Sequence, residues 1–189
     1  MASNTKIAAI VLAAGLSRRS GLVNKLLYPV DGTVMVRKVV EMLASSTADP
    51  VIVVTGFEAP EVETSLSGLP VNFAHNQHFN DGMGSSISRG IKALPDDVDG
   101  VLICLGDMPH IKASTIDALI EASQEKNICV PINNGRQGNP VLFPKNNFQA
   151  LEGLKGDRGG KALIQNNDRL VVEVTTEDTG IFIDHDDVG

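Results

Sequence analysis

"IAAIVLAAGLSRRSGLVNKLL", residues 7–27, decides how this chain is read. Its first seven residues are apolar without interruption, as in a strand buried on both faces of a parallel sheet. Behind them come two glycines and three cations: Gly15, Arg18, Arg19, Gly21 and Lys25. In open α/β sheets, ligands bind where the strands end, beside helix N-termini. Glycines there adopt backbone angles closed to other residues and let amide N–H groups face a phosphate. Arg18 or Arg19 can grip phosphate oxygens with paired N–H donors, and Lys25 adds a compact charge. A solvated basic loop is the plainer reading. The loop has neither the G-x-x-x-x-G-K-[ST] of a P-loop nor the G-x-G-x-x-G of a dinucleotide site.

Outward from this stretch, short β-branched runs alternate with longer amphipathic ones. Residues 7–13, 51–56, 71–75, 101–106 and 128–132 read as strands; 33–46, 59–68, 84–94 and 113–126 read as helices. The first of these helices shows one apolar stripe, at Val36, Val39, Val40 and Leu43. The last has Ser114 or Thr115 as its expected N-cap. The alternation predicts a doubly wound α/β fold, mostly parallel, with helices on both faces. Beyond residue 133 the rhythm loosens. "NNGRQGNPVLF" (133–143) reads as a turn and short strand, "GDRGGKALIQNN" (156–167) as a loop and helix. "RLVVEV" (169–174) and "GIFID" (180–184) read as closing strands.

The 189 residues suit one domain, 1–189, with a sizeable core. Net charge is −7, yet residues 1–40 carry +5 and the remainder −12. A local basic site on an acidic chain favours a small anionic ligand over nucleic acid or an acidic membrane. Aromatics are only 4%, so base-stacking platforms are scarce. No run approaches the roughly 18 apolar residues of a membrane span. "IAAIVLAAG" reads as an internal strand rather than a signal core. Cys104 and Cys129 lie in apolar runs and read as buried free thiols, which points to the cytoplasm.

Three further stretches can carry chemistry. In "LGDMPH" (105–110), Asp107 ends a central strand, where a carboxylate is placed to hold Mg²⁺ shared with substrate phosphates. "HNQHFNDGMGSSISRG" (75–90) runs into a helix. There Gly82 permits close backbone approach, and Ser85 and Ser86 offer hydroxyls that could read a ribose or base edge, while Ser85 could equally be only a helix cap. "IDHDD" (183–187) gathers three carboxylates, either a solvated tail or a second ligand to the same cation. His110 reads as incidental.

In this order, "LAAGLSRRSGLVNKLL", "TGFEA" (55–59), "NDGMGSSI" (80–87), "LGDMP", "GRQGNPVLF", "GDRGGKAL" and "IDHDD" resemble the nucleotidyltransferases that mature the molybdenum cofactor. Within them, "LAAG" with "NKLL" and "TGFEA" is similar to the cytidylyltransferase branch. The resemblance implies a Rossmann-like nucleotidyltransferase fold. Residues 1 to about 110 would bind nucleotide, and about 111–189 the acceptor. It implies Mg²⁺-dependent transfer of CMP from CTP to the phosphate of molybdopterin, with a molybdoenzyme as eventual recipient. Carried over, Lys25, Arg19 and Asp107 do the catalytic work. Leu12, Ala13, Ala14, Gly15, Arg18, Thr55, Gly56, Gly82, Ser85 and Ser86 would surround the nucleotide. Arg136, Asn139 and Asp157 would line the pterin side, and Asp184 or Asp186 would join Asp107 on Mg²⁺. Asn139 stands where His is common, and Lys161 where Arg is common. A sugar or polyol phosphate acceptor, or a non-catalytic nucleotide-sensing or cofactor-delivery role, are the alternative readings.

Overall fold

The computed structural model describes residues 5–16, 24–124, 126–157 and 159–185. The chain opens with β1 (Ile7–Ala13) and a single 3₁₀ turn at Lys25–Leu27. A small hairpin follows, β2 (Pro29–Val30) and β3 (Thr33–Val34). Its two-residue turn is Asp31–Gly32, at φ 51° and 83°, the left-handed pair that such hairpins need. Then come α1 (Met35–Ala44), β4 (Val51–Thr55), α2 (Ala59–Ser65), β5 (Asn72–His75), α3 (Met83–Ile91) and β6 (Gly100–Leu105). The second part holds α4 (Ala113–Glu121), β7 (Ile128–Asn133), β8 (Arg136–Gln137) and β9 (Val141–Pro144). It ends with α5 (Phe148–Glu152), α6 (Lys161–Asn166) and β10 (Val171–Thr175).

One sheet runs β10-β7-β9-β6-β1-β4-β5, with β8 paired to β7. Pairing is parallel through β6, β1, β4 and β5, and antiparallel where β9 joins β6 and β7. The predicted mixed α/β architecture with a mostly parallel sheet is therefore what the chain forms. β1 lies at the centre, and its side chains divide by the period of two. Ile7, Ala9, Val11 and Ala13 join the core under α1; Ala8 and Ile10 join the opposite core with Ile87 and Phe143. Burial on both faces explains the missing polar alternation. The α1 stripe at Val36, Val39, Val40 and Leu43 is buried throughout.

Three local expectations are corrected. The "GIFID" segment is not a strand: Thr179–Phe182 coil into a 3₁₀ turn, in which the Asp178 carboxylate accepts the Gly180 N–H. The start of α4 takes no cap from Ser114 or Thr115, since Lys112 occupies the N-cap position and offers no side-chain cap. The distant Asp178 instead accepts the Lys112 N–H and the Thr115 hydroxyl. "RLVVEV" also starts later than expected, because Asp168–Leu170 form a 3₁₀ turn before β10. Among the described residues no helix is long and apolar enough to cross a membrane.

Candidate functional site

The parallel register sets Ala13 opposite Thr55 and Leu12 opposite Leu105, so β1, β4 and β6 end side by side. Three backbone bonds close this rim. Gly106 N–H donates to the Leu12 carbonyl, Phe57 N–H to Ala14, and Asn76 N–H to Thr55. Ala13 and Ala14 are buried, while Gly15 is exposed. Gly15 has no left-handed φ, and a Cβ there would meet nothing within 4 Å among the described residues. The conformational need expected of Gly15 is thus absent, and what it offers is an open backbone. Gly56 is the crowded one: a Cβ would stand 2.8 Å from the Cβ atoms of Ala14 and Phe79. Thr55 is fully buried, and its hydroxyl donates to Glu63 at 2.9 Å.

"NKLL" divides its labour by position. Asn24 is fully buried; its Oδ1 accepts the Leu26 N–H and its Nδ2 donates to the Phe57 carbonyl. Leu26 packs into the core, which leaves Lys25 facing the rim. The Lys25 ammonium lies 2.7 Å from Asp107 Oδ2, with the two side chains only 14% and 19% exposed. Partial burial weakens solvent screening, so this pair interacts more strongly than one in open water. Arg18, Arg19 and Asp186 lie outside the described residues.

Asp184 is exposed, on the segment that follows the Thr179–Phe182 turn. That segment is tied to the Asp107 loop, since His185 N–H donates to the Asp107 carbonyl at 3.0 Å. The rings of His110 and His185 meet Nε2 to Nε2 at 2.9 Å, with centroids 5.1 Å apart. That centroid spacing is about the contact plus two ring radii, so the nitrogens meet head-on in a hydrogen bond. Burial, with Lys38 and His185 nearby, holds His110 below the ordinary histidine range. His110, read from sequence as incidental, is therefore part of how the terminal segment docks. Among the described residues no group of three or more His, Cys, Asp and Glu side chains is placed to hold a metal ion. Asp107 and Asp184 carry hard carboxylate oxygens, the donor type that Mg²⁺ takes beside substrate phosphates.

The polar loop before α3 is organised by a residue the sequence did not single out. Asn76 is 3% exposed, and its amide nitrogen reaches Ser85 Oγ at 2.9 Å and Ser86 Oγ at 3.1 Å. Its Oδ1 accepts the His78 N–H. Ser85 Oγ is also within 2.8 Å of the His78 and Gly82 carbonyls. Ser85 is not the helix cap; Gly82 holds the N-cap position, at φ 95°. Gly82 is crowded by the 156–157 turn: a Cβ would lie 2.5 Å from the Gly156 carbonyl carbon and 2.6 Å from Asp157 Oδ1. "NDGMGSS" and "KGD" therefore pack together.

A cavity of about 510 Å³ opens beside this junction. Met83, Ile87, Ile103, Leu105, Val141 and Phe143 give it apolar walls, and Gln137, Asn139, Lys161 and Gln165 add polar groups. Its lining comes from both sides of residue 110. Asn139 lines it; exposed Asp157 does not, and the Arg136 guanidinium sits 4.5 Å over the Phe182 ring instead. Besides Asn76, sequence reading missed Glu63, Asp178 and His185. A lone Asn directly after a strand was the available signal for Asn76.

The MobA-like NTP transferase domain family matches residues 9–171. Purine catabolism protein PucB of Bacillus subtilis is 31% identical over 164 residues, covering 82% of this chain and 79% of that protein. Bifunctional GlmU proteins match at 29–34% identity, but the chain spans only 25–31% of their length. Among solved structures, a nucleotidyl transferase from Methanothermobacter thermautotroptrophicus superposes with a TM-score of 0.79 at 26% identity, covering 93% of this chain and 88% of that one. Rv0371c of Mycobacterium tuberculosis H37Rv, in complex with manganese, gives 0.76 at 25% identity, covering 91% and 89%.

Proposed function

The chain belongs to the MobA-like NTP transferase family, and from that premise we propose that it transfers CMP from CTP to the phosphate of molybdopterin, releasing pyrophosphate. The observation that carries the reading is the meeting of Lys25 and Asp107 at the ends of neighbouring strands. A cation and a carboxylate there supply the two charges that nucleotidyl transfer needs: one for the polyphosphate, one for a divalent metal. The choice of CTP and molybdopterin is supported by the ordered motifs, above all "LAAG", "NKLL" and "TGFEA". The buried, unpaired thiols support a reducing, cytoplasmic setting.

An oxygen of the acceptor phosphate attacks the α-phosphorus in line, and the bond to the bridging oxygen of the β-phosphate breaks. The chain's work is positioning and charge neutralisation. Lys25 faces the α- and β-phosphates and, with Arg19, stabilises negative charge on the leaving pyrophosphate. The open backbone at Gly15 faces the phosphates, and Ser85 and Ser86, oriented by Asn76, border the nucleoside. The cavity holds the acceptor, with Asn139 and Lys161 at its polar edge. Asp107 and one acid of the terminal segment would hold Mg²⁺, which, when bound, would neutralise phosphate charge. A phosphate monoester is already ionised near neutral pH, its second pKa being about 6, so no general base is required. The manganese complex of Rv0371c supports a divalent cation here.

The test is pyrophosphate release from each of the four nucleoside triphosphates with purified molybdenum cofactor and Mg²⁺. Turnover with CTP is expected. Turnover only with a sugar or polyol phosphate acceptor would change the substrate, and no pyrophosphate with any acceptor would leave a binding or delivery role.

A further inference from the structure

We propose that Asp178 is a positioning residue: its buried carboxylate pins the terminal segment to the start of α4 and so holds the stretch that carries Asp184 against the Asp107 loop. This rests on the reading above that Asp107 and an acid of the terminal segment hold the divalent cation, and takes Asp184 as that acid.

Asp178 is 3% exposed. A carboxylate so far from water needs its lone pairs satisfied. Its Oδ2 accepts the Lys112 N–H at 2.8 Å and the Thr115 hydroxyl at 2.7 Å, and its Oδ1 accepts the Gly180 N–H at 2.9 Å. Its own N–H donates to Thr176 Oγ1. The accepted donors therefore come from two places, the first turn of α4 and the Thr179–Phe182 turn. A cap supplied from within residues 111–114 would serve the helix alone. Asp178 joins that helix start to the terminal segment, with a longer Thr115 Oγ1–Thr176 Oγ1 contact of 3.4 Å beside it.

What the joint fixes lies at the candidate site. α4 follows directly from the Asp107–Ile111 loop, so holding its first turn holds that loop. On the other side, Gly180 lies against the His110 carbonyl, where a Cβ would stand 2.1 Å from the oxygen. The Ile181 carbonyl accepts the Asn139 N–H at 3.0 Å, and His185 N–H reaches the Asp107 carbonyl at 3.0 Å. Ile183 is 42% exposed and Asp184 is exposed, so core packing contributes little to where residues 183–184 lie. Ile183 N–H donates to the Gly180 carbonyl and His185 N–H to the Asp107 carbonyl, and Asp178 holds Gly180 in turn.

The experiment titrates Mn²⁺ alone into the purified protein and follows free Mn²⁺ by electron paramagnetic resonance. Asp178→Asn keeps the size but turns one acceptor oxygen into a donor facing a donor. It should keep its circular dichroism spectrum and lose at least about tenfold in Mn²⁺ affinity. In turnover the Mg²⁺ requirement should rise, with kcat at saturating Mg²⁺ recovering to within about twofold. Thr115→Val, which removes a single donor, should lose about threefold in Mn²⁺ affinity. A folded Asp178→Asn with wild-type Mn²⁺ affinity overturns the proposal; should that variant not fold, unchanged affinity in Thr115→Val does so. Asp107→Asn separates the two levels. If it loses Mn²⁺ while folded Asp178→Asn does not, only the role of Asp178 fails. If Asp107→Asn also binds Mn²⁺ normally, the cation reading fails and the proposal with it.

Discussion

Lys25 Nζ and Asp107 Oδ2 are 2.7 Å apart across 82 residues of sequence. The contact joins the loop after β1 to the loop after β6, two strands that lie next to each other in the sheet. It leaves Asp107 with a second oxygen and sets Lys25 where a polyphosphate approaching the rim would meet it. One ion pair thus holds both proposed charges in place before substrate arrives, which lowers the reorganisation needed for transfer.

Removing Lys25 should therefore harm the reaction more than the fold. Lys25→Ala is expected to lower kcat/KM for nucleotidyl transfer at least about tenfold, equivalent to about 1.4 kcal/mol of transition-state stabilisation. Pyrophosphate release at matched Mg²⁺ measures it. Near-normal turnover would take this loop out of the site.

A steric prediction concerns the same rim. A Cβ at residue 56 would lie 2.8 Å from Ala14 Cβ and Phe79 Cβ and 2.9 Å from the Ala14 carbonyl. All three neighbours are backbone or next to it, so none can swing away. Gly56→Ala should destabilise the protein by about 1–3 kcal/mol, read as a lower urea midpoint at unchanged slope. An unchanged midpoint would show that the rim yields more easily than its packing implies.

The core of the fold was legible because it is local. Uninterrupted apolar strands and the Val36–Leu43 stripe are written in periodicity, and both faces of β1 are buried as that periodicity implies. Asp107 was legible as a rim residue because it follows a strand, and Lys25 because it closes the glycine-and-cation loop after β1. The parts that were not legible depend on partners remote in sequence. Asp178 satisfies donors 63 and 66 residues away, and a sequence search for a cap looks only a few residues upstream. "GIFID" has strand composition, yet the Asp178 bond to Gly180 and the close fit under His110 coil it into a turn. Arg136 came to the acceptor side through the resemblance; that its guanidinium stacks over the ring of Phe182, 46 residues on, was not written in its own neighbourhood.

The two thiols give an independent check on the core. Burial pushes Cys104 up to about 12 and Cys129 up to about 11, so neither forms an appreciable thiolate at pH 8. A colorimetric disulfide reagent should find neither thiol in the native protein and both once it is unfolded. Rapid labelling of either in the native state would contradict its burial.

The base choice is the sharpest test of the proposed donor. CTP should be used in strong preference to GTP with the same pterin acceptor and Mg²⁺. The first motif and "TGFEA" motivate this by their likeness to the cytidylyltransferase branch, and a physical argument runs beside them. A pocket shaped for a pyrimidine need not clear a second ring, so a purine would collide with its wall. Its polar groups would also be matched to the O2, N3 and N4 pattern of cytosine. GTP would leave some of them without partners, at about 1–3 kcal/mol each. A polar mismatch discriminates more sharply than a missing methylene, so the ratio of kcat/KM values is expected to exceed about a hundredfold. Uracil is the finer probe, because UTP fits the same space and differs at N3 and the 4-position. A pocket that selects by shape alone would accept UTP nearly as well as CTP, whereas one that reads the amino group would reject both UTP and GTP. Equal kcat/KM for CTP and GTP, or a preference for GTP, would reassign the donor despite the first motif.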